Sequence, residues 1–148
     1  MKRHPALQAL SRDHHEALVV AQRLQRAGES DASAAQAEFL QFWRTDGEPH
    51  FRAEEEVLLP RFAVAGGADN PAVERVLREH AEIRLRALQL QSGPASTRAL
   101  QALGKRLADH VRLEERELFP AIEAALDEPE LSRLASDVAA AEHPGHPA

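Results

Sequence analysis

The chain has 148 residues, a formal net charge of −6, no cysteine, no tyrosine and one tryptophan, Trp43. Without cysteine there is no disulfide, no thiolate zinc site and no iron–sulfur cluster, so any metal must be held by His, Asp or Glu. The acidic balance argues against nucleic acid or an anionic membrane as partner. No apolar run approaches the ~18 residues of a membrane span.

Near the start, Arg12, Asp13, His14 and His15 leave no room for a signal-peptide core, and a cytoplasmic location is expected. The length suits one domain over residues 1–142, with a flexible tail at 143–148. A composition rich in Ala, Leu, Glu and Arg favours helices over sheets.

In the first predicted helix, from about Pro5 to Ala27, Leu7, Leu10, His14, Ala17, Ala21 and Leu24 recur at three–four spacing. The polar stretch Gly28-Glu29-Ser30-Asp31 ends it. A second helix is expected from about Ser33 to Phe62, closed by Gly66-Gly67. Gly47 and Pro49 interrupt its pattern and predict a kink or break just before His50.

The third helix has a clear start, with Asn70 as N-cap, Pro71 at the first helical position and Glu74 in the first turn. Its inner stripe is Val73, Val76, His80, Ile83, Ala87 and Leu90, and Ser92-Gly93-Pro94 ends it. A fourth helix is expected from about Ser96 to Leu126, facing inward with Leu100, Leu103, Leu107, His110 and Leu118. Asp127-Glu128-Pro129 reads as a break before a short fifth helix over Glu130 to Ala141. Short connections between long helices give an all-α, up-down-up-down antiparallel four-helix bundle with a short C-terminal fifth helix.

One segment occurs twice. The stretch from His50 to Pro60 is echoed from His110 to Pro120, and the copies agree at the His, the Arg, two leading Glu, a Leu and the closing Pro. In each copy a His and a Glu stand four residues apart, which on a helix puts both on one face about 6 Å apart along the axis. Asp13-His14 on the first helix is answered by Glu79-His80 on the third, so the chain reads as two copies of one helical hairpin.

His14, His50, His80 and His110 all fall at inward positions. Singly, each is as well read as a core imidazole satisfied by a neighbour. Together, two of them with a Glu on the same face, they point to a common centre, because a polar cluster inside a bundle is costly unless something compensates it. Glu54 and Glu114 share the His faces. Glu55, Glu56, Glu115 and Glu117 read instead as solvated charges near Arg52, Arg112 and Arg116. Mixed imidazole–carboxylate ligation suits iron, manganese or zinc, and two facing carboxylates suit a dinuclear site. His4, His143 and His146 read as decoration of mobile ends. No nucleophile elbow, phosphate-binding loop or ferritin-like Glu-x-x-His spacing is present.

The ordered pattern over about residues 7 to 126 resembles the hemerythrin-like, HHE cation-binding family. The order is His on the first helix, His-x-x-x-Glu on the second, His on the third and His-x-x-x-Glu on the fourth. The resemblance implies a non-haem di-iron centre with His14, His50, His80 and His110 as terminal ligands and Glu54 and Glu114 bridging. It implies binding of O2 or a related small diatomic for sensing, storage or protection against oxidative and nitrosative stress. The alternatives are a di-iron enzyme turning over peroxide or nitric oxide and a metal-free helical interaction module. A binding protein is favoured over an enzyme, because no base or proton relay is evident. Monomer and homo-oligomer both fit.

Oxygen-carrying members of that family have a fifth His, four residues from the third-helix His, where this chain has Val76 on one side of His80 and Arg84 on the other. Their last carboxylate follows its His by five residues; here Glu114 stands at four and Glu115 at five. Either the site has one ligand fewer and one more open position, or His15 supplies the fifth imidazole. His14 is favoured over His15 as the first-helix ligand.

Overall fold

The computed structural model describes residues 2–143. A 3-10 turn over Pro5–Leu7 leads into helix α1, Gln8–Gln25. Helix α2 follows over residues 32–67, α3 over Pro71–Gln91, α4 over residues 97–125 and α5 over Glu128–Glu142. The described residues contain no strand. Asn70 accepts from the Ala72 N–H at 2.9 Å and caps α3, as its sequence signals require.

Of the kink or break expected before His50, the break does not occur: α2 is continuous through Gly47 and Pro49, and the irregularity there is confined to the turn that ends at Gly47. The helix widens instead of stopping. π-turns occupy Trp43–Gly47, Glu54–Leu58 and Ala63–Gly67 in α2, and Glu114–Leu118 in α4. Three of them end two residues before a proline: Pro49, Pro60 and Pro120. A proline lacks the N–H of the next rung, and its ring crowds the carbonyl four residues back. One extra residue in the preceding turn shifts that carbonyl and lets the helix carry on. The widened rungs close from Glu48 N–H to the Trp43 carbonyl, from Leu59 N–H to Glu54 and from Phe119 N–H to Glu114. Gly66, at φ 104°, ends α2 in a conformation that disfavours side chains.

Two apolar clusters fill the bundle, one toward each end. The first holds Leu7 and Leu10 of α1, Leu58 and Phe62 of α2, Val76 of α3, and Leu118 and Ile122 of α4. The second holds Ala17 and Leu24 of α1, Phe39 and Phe51 of α2, Ile83 and Leu90 of α3, and Leu100 and Leu107 of α4. Followed along the chain, α1 and α3 run from the first cluster to the second, and α2 and α4 run back. The arrangement is therefore the up-down-up-down bundle. The four inward histidines fall at the level between the clusters.

Helix α5 begins two residues earlier than expected. Asp127 and Glu130 form a capping box, with Pro129 in the first turn, so the residues that read as a break are the start of the helix. Leu131, Leu134 and Val138 join the first cluster, and the helix lies along residues 48–58 of α2 and the 3-10 turn. Arg61 of α2 pairs with Asp137.

His4 is no mobile decoration: its Nδ1 accepts from the Ala6 N–H at 3.0 Å, and its Nε2 lies 3.0 Å from Glu128. The His143 N–H closes α5 onto the Ala139 carbonyl, while residues 144–148, expected to be a flexible tail, lie outside the described residues. Among the described residues no helix is long and apolar enough to cross a membrane.

Candidate metal centre

His14, His50, Glu54, His80, His110 and Glu114 meet in the layer between the two apolar clusters, all buried. Ligand-capable atoms of His14, His50, Glu54 and Glu114 lie within 4.8 Å of one another, and so do those of Glu54, His80, His110 and Glu114. The two groups share both glutamates and divide the histidines into pairs.

The carboxylates span the pairs. Glu114 turns Oε1 toward His14 Nε2 at 2.7 Å and Oε2 toward His110 Nε2 at 3.0 Å and His80 Nε2 at 3.3 Å. Glu54 turns Oε2 toward His50 Nε2 and Oε1 toward His80 Nε2, at 3.0 and 3.1 Å. These contacts are short, yet both Glu54 oxygens and the Nε2 atoms of His50 and His110 are buried without hydrogen-bond alignment. Orphaned atoms of this kind are rare inside proteins unless water or an ion satisfies them. Eight lone-pair-bearing atoms from four imidazoles and two carboxylates fit two cations in oxygen–nitrogen coordination.

Each ring is held from behind. His14 Nδ1 lies 2.5 Å from Glu115, His50 Nδ1 3.0 Å from Asp13, His80 Nδ1 2.6 Å from Glu55 and His110 Nδ1 2.8 Å from Glu79. A Nδ1–H donating to a carboxylate fixes the tautomer and leaves the Nε2 lone pair for a metal. The chain duplication is visible in these bonds. Asp13 and Glu79 immediately precede His14 and His80 and serve the histidine of the next helix. Glu55 and Glu115 immediately follow Glu54 and Glu114 and serve the histidine of the other hairpin.

The reading of Glu55 and Glu115 as solvated surface charges is thereby overturned, while Glu56 and Glu117 are exposed as expected. The signal was present, since Asp13, Glu55, Glu79 and Glu115 each adjoin a ligand candidate. The charge runs around Glu55 and Glu115 masked it, because helix-face arithmetic separates neighbours by about 100° and takes no account of a partner helix.

Neighbouring rings fix the imidazoles further. Phe51 stacks on His80 with centroids 3.8 Å apart, and Phe119 on His14 at 5.2 Å. His15 does not join the centre. It is exposed on the outer face of α1, in a surface groove with Gln22 and Arg112, so a fifth imidazole is not supplied from there. Arg84, four residues after His80, is bonded to Glu55 at 2.6 Å, behind His80.

Electrostatics follow the geometry. Burial alone would push His80 down, but Glu114, Glu54 and Glu55 outweigh it and hold the imidazole up to about 10. His14, His50 and His110 are likewise raised by their carboxylates against the effect of burial. Burial opposes the ionisation of Glu114, and the surrounding imidazoles reverse this and keep its carboxyl well below the usual range. Glu55, backed by both His80 and Arg84, is held at about 2 despite burial.

Residues 6–122 match the family model described as the hemerythrin HHE cation binding domain. The chain belongs to the hemerythrin HHE cation-binding family. The match spans the four bundle helices through Ile122 and stops before α5. No curated protein and no solved structure matches the chain significantly. Both His/Glu groups of the buried cluster, suited to metal cations, lie within the matched residues.

A cavity of about 20 Å³ abuts one side of this cluster, lined by His14, His50, His110, Trp43, Leu107 and Val111 among others. Such a volume exceeds the roughly 10–15 Å³ that one water requires.

Proposed function

We propose that this hemerythrin-like protein holds two iron ions between its hairpins and uses them to bind O2 or a related small diatomic, for sensing, storage or protection against oxidative and nitrosative stress. His14 and His50 would hold one ion and His80 and His110 the other, with Glu54 and Glu114 offering oxygens to both. The observation that carries this reading is the pair of carboxylates turning one oxygen to each histidine pair, with orphaned buried atoms between them. Iron in such a set supplies reversible coordination of a small ligand at a position the protein leaves open.

The chain's own residues do the rest. Four carboxylates orient the rings, and Phe51 and Phe119 pin two of them. Two imidazoles per position, against five shared by the two irons of oxygen carriers, leave room on both ions. The small apolar cavity beside His14 and His50 favours a diatomic over a larger substrate and favours that side for its entry. Manganese or zinc fits the same donors.

Elemental analysis of freshly purified protein, combined with an optical spectrum in air and under argon, tests the reading. Two irons per chain and an absorption that changes with air are expected. Colourless protein carrying stoichiometric zinc would overturn it.

A further inference from the structure

Three of the four carboxylates behind the histidines are themselves backed by arginine. Glu55 has Arg84 at 2.6 Å, Glu115 has Arg3 at 3.2 Å, and Glu79 has Arg106 and Arg75 at 3.9 and 4.0 Å. Asp13 is different. Among the described residues no arginine or lysine forms an ion pair with it, and the group facing it is a second carboxyl, that of Glu142. Asp13, His50 and Glu142 bring ligand-capable atoms within 4.8 Å of one another, and Glu142 is only 9% exposed.

Glu142 is the last residue of α5, so it reaches the centre from outside the four-helix bundle and beyond the segment that the family model matches. The capping box at Asp127, the apolar stripe and the Arg61–Asp137 pair hold that helix against α2. Two carboxyls buried against each other do not both ionise cheaply. Burial and the adjoining Asp13 push Glu142 up to about 8. Burial acts in the same direction on Asp13, but its hydrogen bonds with His50 and Glu142 outweigh this and hold it low. Asp13 already accepts from His50 Nδ1–H, so a proton shared between the two facing carboxyls has its donor on the Glu142 side.

We propose that Glu142 is a positioning residue for the His14/His50 half of the centre: its carboxyl O–H donates to Asp13, which fixes the carboxylate that accepts from His50 Nδ1–H. The proposal rests on the metal reading above. An arginine behind a carboxylate draws charge away from the imidazole, and a neutral acid draws less. His50 is therefore the one ring of the four whose backing carboxylate leans on a second carboxyl, and the two metal positions are inequivalent although the ligand sets are alike. The small cavity is lined by Asp13, His14 and His50, and by His110 of the other pair, so the helix that the family model does not cover bears on a wall of the space a small ligand would enter.

Glu142→Ala removes the donor, whereas Glu142→Gln keeps an N–H of similar reach and serves as rescue. In the metal-free protein, ring-proton NMR of 15N-histidine should show the His50 Nδ1–H lost to solvent exchange in Glu142→Ala and retained in Glu142→Gln, with His110 unchanged in both. In a Co2+ competition titration, one of two equivalents should weaken about tenfold in Glu142→Ala only. Equal behaviour of the two variants overturns the proposal, as does a lowered melting temperature with all four rings perturbed alike. If the parent takes up no Co2+, the metal reading fails, and the ring-proton measurement still decides the tether.

Discussion

Glu114 stands six residues before Pro120, and the π-turn that begins at Glu114 closes on the N–H of Phe119, one residue before the proline. Glu54 and Pro60 repeat the relation in α2. Because the turn holds one residue more than an α-turn, Glu114 and Phe119 come closer to one face than α-helical spacing allows. The carboxylate then reaches the histidines while the ring stacks on His14. In an ordinary α-turn five residues amount to roughly 140° beyond a full turn, and the two side chains part.

Pro120→Ala returns an N–H and removes the ring that crowds the preceding turn. Interior proline costs about 3 kcal/mol relative to alanine, so the metal-free variant should melt no lower than the parent. Metal affinity should fall about tenfold as Glu114 loses its aim. Thermal melts with and without Co2+ read both effects. A lowered metal-free melting temperature with an undiminished metal-induced rise would show that packing, and not the proline, sets the wide turn.

Glu114 faces both histidine pairs, whereas His14 belongs to one. Glu114→Ala should therefore lower the metal content at both positions, and His14→Ala should leave about one ion per chain held by the His80/His110 half. Metal-to-protein ratios after gel filtration distinguish the two outcomes. Equal losses in both variants would mean that the halves do not bind separately.

Metal uptake should compete with protons. The carboxylates around the four imidazoles make each hold its proton more tightly in the metal-free chain than a free imidazole does, and a group raised on folding gives stability that is complete below its unfolded value and lost as pH rises through the folded one. For His80 that window runs from 6.5 to about 10. Glu55 acts in the opposite sense: lowered from 4.5 to about 2, it gives stability present above the higher value and lost as pH falls through the lower. The metal-free melting temperature should therefore fall from neutral to alkaline pH, and the metal-loaded form should stay level, because cations replace the protons at Nε2. Melts from pH 6 to about pH 10 check this, and a metal-free protein that keeps its melting temperature at the alkaline end would show neutral rings.

The duplicated His-x-x-x-Glu and the inward stripes made the bundle and the six central residues legible, because helical periodicity translates directly into faces. What sequence did not disclose depends on packing between elements. Pro49 looked like a breaker, but a π-turn absorbed it, and no propensity rule foresees which helix will widen. Glu55 and Glu115 looked solvated because their partners sit on other helices. Glu142 stood furthest from view, since nothing local ties the end of a short C-terminal helix to Asp13 in α1.

The close contact between α1 and α4 rests on Gly104. A Cβ built there would lie 2.6 Å from the Ala21 carbonyl oxygen and 2.9 Å from Leu24 Cβ. The first is backbone and cannot swing aside, so Gly104→Ala must push the two helices apart despite alanine's better helix propensity. Overpacking of this kind costs about 1–3 kcal/mol. Leu107 and His110 follow Gly104 by one and two turns, so the displacement carries His110 and Glu114 along with α4 and draws Glu114 away from His14 on α1. The expected result is a lower melting temperature in the metal-free protein and a larger loss in the metal-loaded one, because the strain opposes closure around the cations. Chemical denaturation with and without Co2+ measures both, and a variant as stable as the parent would mean that α1 and α4 have slack at this level.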